Sequence, residues 1–411
     1  MRILTYTSLF PNSEQPNHGI FVYQRIAHLA RRSGNEVEVI APIPYSPKWA
    51  PGENRRAFAE IPSREQIGEL PVEHPRYPLI PKISMTLHAL SMALGSESTA
   101  RRLHEKHSFE CIDAHFVYPD GTAAVLLGKL LRLPVVVTAR GTDATLYPNF
   151  RLIRRILQWT YRQSAGIVAV SESLKQAILE LGIPRERVRT IANGIDAERF
   201  SPSDQEEAKQ RLGIPEDVPV VVSVGNLNEV KSQHLLVSAV QLLSPRFPTL
   251  RLYLIGEGPQ RGRLQEQIES SNLQSRVSLV GGVRNENLRT WYGAADMSCL
   301  VSSREGWPNV VTESLACGTP VVAAQVGGIH EIITSPELGV FVEREPNSIA
   351  TGIETALGKP WNRMKISQQA RERTWDLVAA ETEGYLRECV GRAAPSEGAD
   401  RGVDTERVHT P

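Results

Sequence analysis

Glu305-Gly-Trp-Pro-Asn-Val-Val-Thr-Glu313 continues, after Ser314 and Leu315, into Ala316-Cys-Gly-Thr-Pro-Val-Val-Ala-Ala-Gln-Val-Gly-Gly-Ile-His-Glu331. Pro308 suits the first residue of a helix, where its missing N–H is no loss and its fixed φ is already helical. The amides from Gly306 to Asn309 are then free to meet an anion at that helix's N-terminus. One carboxylate stands in the loop before the helix and the other more than a turn inside it, placed to hold hydroxyl groups on either side of a bound phosphate. A strand is expected near Met297 to Val301 and another at Pro320 to Ala323, so the stretch reads as one strand–helix–strand unit of a doubly wound α/β sheet.

The same alternation extends in both directions. Towards the N-terminus, residues 2 to 9 read as a buried strand, Gly19 to Arg32 as an amphipathic helix and Glu36 to Ala41 as the next strand. Further strands are expected at Cys111 to His115, Val135 to Ala139 and Gly166 to Val170, with helices at Gly121 to Leu131, Leu152 to Gln163 and Ser173 to Leu181. A second series starts at Val220-Val-Val-Ser-Val-Gly225 and includes strands at Leu250 to Ile255 and Val277 to Val280. Between the two series, Phe200 to Pro219 is rich in Pro and charge and reads as a linker with one short helix. The expected organisation is a first Rossmann-like domain over 1–198, a second over 199–370, a terminal helix over 371–392 returning to the first domain, and a disordered tail over 393–411. Two such domains facing one another put the C-terminal ends of their strands on a shared cleft, where ligand is expected.

The bulk composition excludes several classes. A chain of 411 residues with 41% hydrophobic and 22% charged residues is that of a soluble two-domain protein. Lys+Arg and Asp+Glu are equal at 46 each, so no overall field draws in nucleic acid. Cys111, Cys299, Cys317 and Cys389 lack metal or redox spacing, which fits buried thiols in a reducing compartment. The N-terminus is too short and polar for a signal peptide, and no stretch approaches the roughly 20 apolar residues of a membrane span. A cytoplasmic location is expected. Arg151 to Arg162 is amphipathic, with arginines on one face and Leu152, Ile153, Ile156 and Leu157 on the other. Its plain reading is a solvated basic face, and its sharper reading is peripheral contact with anionic lipid headgroups at the inner membrane surface.

The chemistry-bearing residues gather at predicted strand ends. Gly225-Asn-Leu-Asn-Glu-Val-Lys231 places Lys231 at the mouth of the crevice as a diphosphate clamp, with Gly225 and Asn226 beside it. Gly256 and Gly258 form a similar turn where backbone can approach a base or ribose. Gly19 closes a long first-domain loop and could flank an anion at a helix N-terminus, and His18 precedes it. His115-Phe-Val-Tyr-Pro-Asp120 and Thr138-Ala-Arg-Gly-Thr-Asp143 also face the cleft, with His115 equally a core histidine or a catalytic one. Arg140 supplies a rigid fork for phosphate or carboxylate. Together with Glu305 and Glu313, these residues imply a nucleotide diphospho-sugar as ligand.

With these residues in place, the chain resembles glycosyltransferase family 4, the retaining enzymes of GT-B fold. The resemblance runs over roughly residues 1 to 390, and its most specific element is the pair of glutamates with the Gly-Thr-Pro-Val-Val and Gly-Gly-x-x-Glu continuation. Asn193-Gly-Ile-Asp196, Val224-Gly-Asn-Leu and Lys231 add to it. It implies that Glu305 faces the donor sugar, Glu313 the ribose and Lys231 the diphosphate, with Gly306, Trp307, Pro308, Asn309 and Val310 also at the donor. Two positions depart from many relatives. Asn226 stands where an arginine is common, and Arg140 where a histidine is common, so Arg140 becomes the candidate for the missing positive charge. The Arg-Gly-Thr-Asp variant with His18-Gly-Ile-Phe21 is similar to a cell-envelope polysaccharide subgroup that includes teichuronic acid transferases.

The acceptor implied is a glycan or lipid-linked hydroxyl, with His18, Asp120 and Asp143 as acceptor-side candidates. No Asp-x-Asp stands at a predicted strand end to hold a divalent ion, so neither metal nor cofactor is expected. Lys231, Arg140 and the helix N-terminus take the metal's part; the resemblance implies attack from the front face of the sugar, with double displacement through Glu305 as the alternative. The other readings are a sugar-nucleotide epimerase or hydrolase on the same fold and a non-catalytic scaffold. Glu305, Glu313 and Lys231 together favour transfer.

Overall fold

The computed structural model describes residues 1–46, 53–79 and 85–393, so the tail expected over 393–411 lies, beyond Ala393, outside the described residues. The first part of the chain forms strands β1 (Arg2–Tyr6), β2 (Glu36–Ile40), β3 (Ile43–Pro44), β4 (Arg64–Ile67) and β5 (Leu70–Glu73). It continues with β6 (Arg76–Tyr77), β7 (Cys111–His115), β8 (Val135–Ala139), β9 (Gly166–Ala169) and β10 (Val188–Thr190). The second part forms β11 (Val220–Val224), β12 (Arg251–Ile255), β13 (Val277–Gly281), β14 (Met297–Leu300), β15 (Val321–Ala324) and β16 (Gly339–Val342). Val135-Val-Val-Thr-Ala139 and Val220-Val-Val-Ser-Val224 are buried along their whole length, as strands covered on both faces must be.

The first sheet has eight strands in the order β10-β9-β8-β7-β1-β2-β5-β4, and the second six in the order β13-β12-β11-β14-β15-β16. Only the β4–β5 pair in these sheets is antiparallel; the other pairings are parallel. The strand order reverses between β1 and β7 in the first sheet and between β11 and β14 in the second. Each domain is therefore doubly wound, with its crevice at the reversal.

Helices His88–His107, Thr122–Leu131 and Arg151–Gln163 cover one face of the first sheet, sharing a core that contains Met92, Val125 and Leu157. Helix Ile20–Arg31 covers the other face together with the last helix, Trp375–Ala393, and Val22, Ile26, Trp375, Val378 and Leu386 join Ile3 and Val136 in one cluster. The chain crosses between the sheets twice, and the crossings are tied: the Ile195 amide donates to Arg373 O at 2.9 Å, and Ile195 bridges Thr374. Among the described residues no helix is long and apolar enough to cross a membrane.

Several elements depart from the sequence pattern. Strand β1 stops at Tyr6 because Ser8 turns its amide to Asp120. The pattern assigns nothing over residues 42–110, yet they hold the β4–β5 pair, the β3–β6 ribbon and helix His88–His107. That helix turns Leu90 and Leu94 outward while burying Ser96, which blurs its 3.6-residue pattern. Strand β16 and helices Pro346–Leu357 and Arg363–Ala370 are likewise additions, and the last helix starts at Trp375 rather than 371.

Trp375 is 3% exposed in the cluster that holds the last helix to the first sheet. Trp375→Ala should cost roughly 3–5 kcal/mol, the range for deleting a large buried aromatic. A urea unfolding curve followed by circular dichroism should show a correspondingly lower midpoint.

Candidate active site

Parallel strands that run side by side deliver their following loops to the same edge. Because β11 pairs directly with β14, the loop after β11 and the loop after β14 meet. Lys231, ahead of helix Gln233–Leu243, donates from Nζ to Glu305 Oε1 at 2.6 Å. Its amide is held by Asn228 Oδ1 at 3.1 Å, and its aliphatic stem lies over Gly225. The cation and its carboxylate are both mostly buried, which strengthens their attraction relative to water.

Helix Asn309–Ala316 follows directly. Pro308 is its cap rather than its first residue, with extended backbone (φ −78°, ψ 94°), so the first turn begins at Asn309. Glu313, one turn in, is 2% exposed. It accepts from Tyr292 Oη at 3.2 Å and from Asn285 Nδ2 at 3.4 Å, and Asn285 in turn accepts from Arg199 Nη1 at 2.8 Å. Burial pushes the Glu313 carboxyl up to about 7, against the pull of those two donors. Glu313 and Val310 line an interdomain cleft of about 610 Å³ together with Gly225, Asn226 and Gly256. His18 and Gly19 close it from the first domain. His18 Nε2 sits 3.1 Å from Ser8 O, and burial lowers the pKa of its ring. Gly258 is not on this surface; its backbone packs against Leu227 instead.

On the first-domain side Arg140 is half-buried at the end of β8. Its Nη1 donates to Asn193 Oδ1 at 3.2 Å and its Nη2 to His115 Nδ1 at 2.9 Å. A guanidinium only donates, so the His115 proton is on Nε2, which lies 3.1 Å from Asp113 Oδ2. Burial lowers His115 to about 4, so the ring is neutral at pH 7, and Arg140 is lowered to about 10 by the same cause.

Four expectations change here. His115 has 0% exposure and supports Arg140 from behind, so it does not face the cleft. Asp143 is also fully buried, its carboxylate taken up by the amides of Val117, Arg140 and Gly141 at 2.8, 3.1 and 2.8 Å. Asp120 is fully buried too, bonded to the Ser8 amide and pushed by burial to about 7. Neither aspartate is a surface for an acceptor. The Trp307 ring packs against the first-domain core and borders a separate recess with Arg189, Arg373 and Glu331.

The two domains touch along a seam of glycines. A Cβ on Gly306 would overlap Arg140 O, and one on Gly328 would lie 3.0 Å from Ser171 Cβ and 2.6 Å from Gly306 O. Only glycine lets these backbones approach so closely. Glu331 reaches across the seam and accepts from the amides of Glu172 and Ser173 at 2.8 and 2.9 Å, capping helix Glu172–Leu179 from the other domain. Among the described residues no three His, Cys, Asp or Glu side chains gather to hold a metal ion.

Sequence reasoning missed Asp113, Tyr292, Asn285 and Arg25, and the contacts made by Asn193. Two of them left a sequence signal. Asp113 is a charge inside a buried strand, and Arg25 a charge on the apolar face of a helix between Val22 and Leu29; such residues are rarely buried without a partner.

The family model described as "Glycosyltransferase Family 4" matches residues 19–199, and that described as "Glycosyl transferases group 1" matches residues 204–373. A Bacillus subtilis glycosyltransferase, whose name assigns it to teichuronic acid biosynthesis, is 29% identical over 365 residues, covering 86% of this chain and 88% of its own. A D-inositol 3-phosphate glycosyltransferase of Geodermatophilus obscurus is 32% identical over 309 residues, covering 68% of this chain and 67% of its own. Among solved structures, Anabaena HepE in complex with UDP superposes with a TM-score of 0.72 at 21% identity, over 94% of this chain and all of that one.

The raised Glu313 pKa has a definite sign for stability. The unfolded carboxyl ionises near 4.5 and the folded one near 7, so the native state holds the extra proton between them. That contribution is present below 4.5 and is lost as pH rises towards 7. Glu313→Gln should therefore gain melting temperature relative to the parent chain as pH rises from about 4.5 to 7.5. Paired thermal melts across that range would show a flat difference if Glu313 were ionised throughout.

Proposed function

The chain belongs to glycosyltransferase family 4, and on that premise we propose that it is a retaining enzyme that needs no metal. It moves a sugar from a nucleotide diphospho-sugar to a hydroxyl of a glycan or lipid-linked acceptor in cell-envelope polysaccharide synthesis. The observation that carries this reading is the Lys231–Glu305 contact at 2.6 Å, which joins the loops that follow β11 and β14 at the crevice of the second sheet. A free lysine there would be an unspecific counter-ion. Held by Glu305 and Asn228, it is a fixed donor aimed where a departing diphosphate builds charge, and preorganised donors of this kind supply much of the catalysis in such transfers.

In the proposed reaction the sugar C1–O bond to the β-phosphate breaks as the acceptor oxygen bonds to C1 on the same face. The acceptor proton passes to the leaving phosphate oxygen. Lys231 and Arg140 hold the released nucleoside diphosphate, with the N-terminus of helix Asn309–Ala316 completing the cradle. Glu305 takes the sugar hydroxyls, and Glu313 takes the ribose hydroxyls. Solved relatives of this fold hold UDP or UDP-glucose, which supports a uridine nucleotide here. The glycine seam brings the domains together and limits access of water to the reacting carbon.

A cytoplasmic position with peripheral contact to the inner membrane surface suits a lipid-linked acceptor. Helix Arg151–Gln163 exposes Arg151, Arg154, Arg155 and Arg162, none of them in an ion pair with a described residue. Leu152, expected on the buried face, is 54% exposed, and Phe150 is 48% exposed. On the same face of the sheet, helix His88–His107 exposes Leu90 and Leu94, with Leu87 just before it. Arginines beside exposed apolar side chains are the composition that favours an anionic headgroup layer.

Incubation with a panel of UDP-, GDP- and ADP-sugars in EDTA should give nucleoside diphosphate release from one donor. Lys231→Ala should lower that release by roughly 10²–10³-fold, the range for deleting one preorganised donor, and NMR of a transfer product should show the donor's anomeric configuration kept. Loss of release in EDTA with recovery on adding magnesium or manganese, or an inverted product, would overturn the mechanism.

Vesicles rich in phosphatidylglycerol should co-sediment the protein and phosphatidylcholine vesicles should not. Replacing Arg151, Arg154 and Arg155 by Ser should abolish the binding, and equal sedimentation with both vesicle types would sink the membrane reading.

A further inference from the structure

Asn193 is 3% exposed in the crossing between the domains, and both ends of its amide are engaged. Its Oδ1 accepts from Arg140 Nη1 at 3.2 Å and lies 3.5 Å from Arg25 Nη2, while its Nδ2 donates to Asn309 Oδ1 at 3.1 Å. The orientation is chemically determined. Guanidinium groups cannot accept, so the oxygen must face the two arginines and the NH2 must face Asn309. Asn309 must then answer with its oxygen, which leaves its own NH2 without a partner among the described residues, at the first turn of helix Asn309–Ala316.

The position of Asn193 is itself tightly held. Arg25, fully buried in helix Ile20–Arg31, donates to Ile191 O at 2.8 Å. On the other side a Cβ on Gly194 would come within 2.7 Å of the backbone of Thr374 and Trp375, so the loop is clamped between helix Ile20–Arg31 and the start of the last helix. Arg25 Nε and Nη1 have no partners, and Asp113, the carboxylate that faces these two arginines, is paired already with neutral His115. The cluster therefore carries surplus positive charge.

We infer that Asn193 is a positioning residue for glycosyl transfer, which fixes the Arg140 guanidinium in the first domain and, through the same amide, turns the Asn309 NH2 towards the donor in the second. The inference rests on the proposed role of Arg140 at the leaving diphosphate. It explains the Asn-Gly-Ile-Asp segment physically, since one short side chain aligns groups from both domains and does so only while the domains are together. The Asn309 NH2 is then a donor for an acceptor atom of the nucleotide sugar, a hydroxyl or phosphate oxygen.

The test uses the full chain and the nucleotide sugar from which it releases nucleoside diphosphate fastest. Asn193→Ala should lower kcat by about 10–100-fold, as a displacement near 1 Å at a reacting group does, and should change donor KM less than threefold. The double variant Asn193→Ala with Arg140→Gln should lose clearly less than the product of the two single losses, because the Arg140 arm is then removed once rather than twice and only the Asn309 arm adds to it. Asn193→Asp keeps an acceptor for both arginines but has no N–H for Asn309, so it should not recover the parent rate. Melting temperatures of all variants identify any that fail to fold, and the same comparison made with Asn309→Ala then replaces the affected one. Multiplicative losses in the double variant, a loss confined to KM, or parent-like kcat in Asn193→Ala would overturn the inference. If the parent chain releases nothing from any donor, the underlying reading of the site fails first.

Discussion

Strand β11 takes β12 as its neighbour on one side and β14 on the other, so the connections leaving β11 and β14 part over opposite faces of the sheet and open a crevice between them. That topological constraint makes Lys231 and Glu305 neighbours although 74 residues separate them. The first sheet repeats the arrangement between β1 and β7, where Ser8 and Asp120 meet. Placing the two reversals face to face puts His18 and Gly19 opposite Gly225 and Glu313 around a single cleft.

Charge is distributed unevenly between the two walls. On the second-domain side the two glutamates are managed by opposite means: Glu305 is matched by a lysine, whereas Glu313 is desolvated and held by neutral donors. The first carboxylate therefore has a cation against it, and the second sits close to its titration point at neutral pH. On the first-domain side, Arg140 and Arg25 outweigh Asp113, and His115 adds no charge because burial keeps it neutral. A wall with surplus positive charge opposite an acidic pocket suits a ligand with an anionic middle and hydroxyl-rich ends.

Much of the fold is legible in the sequence because buried parallel strands leave a plain trace. The strand over Val135 to Ala139 matches its expected bounds to the residue, and the valines from Val220 to Val224 mark a strand without any tertiary knowledge. Helix His88–His107 is not legible, since its outward leucines remove the contrast between faces on which pattern reading relies. At the site, glycine and proline spacing points to the loop from Glu305 to Asn309 and to Lys231, because backbone requirements are written in those residue types. What stays hidden is use. Asp143 looks like a ligand group and is a backbone acceptor, His115 looks catalytic and is a support, and Asn193 looks like a turn residue yet makes three side-chain contacts. Those assignments depend on burial and on partners from distant segments.

The glycine seam has a bearing on how such enzymes diversify. In the proposed reaction the donor is recognised mainly by the second domain and the acceptor mainly by the first, an arrangement that invites exchange of halves between relatives. Gly306 against Arg140, Gly328 against Ser171 and Glu331 over the Glu172 and Ser173 amides mean that each half carries the mould of the other. A chimera would inherit both binding surfaces and still mate poorly unless these contact residues travelled with them, so the unit of inheritance is the matched pair of faces rather than the domain.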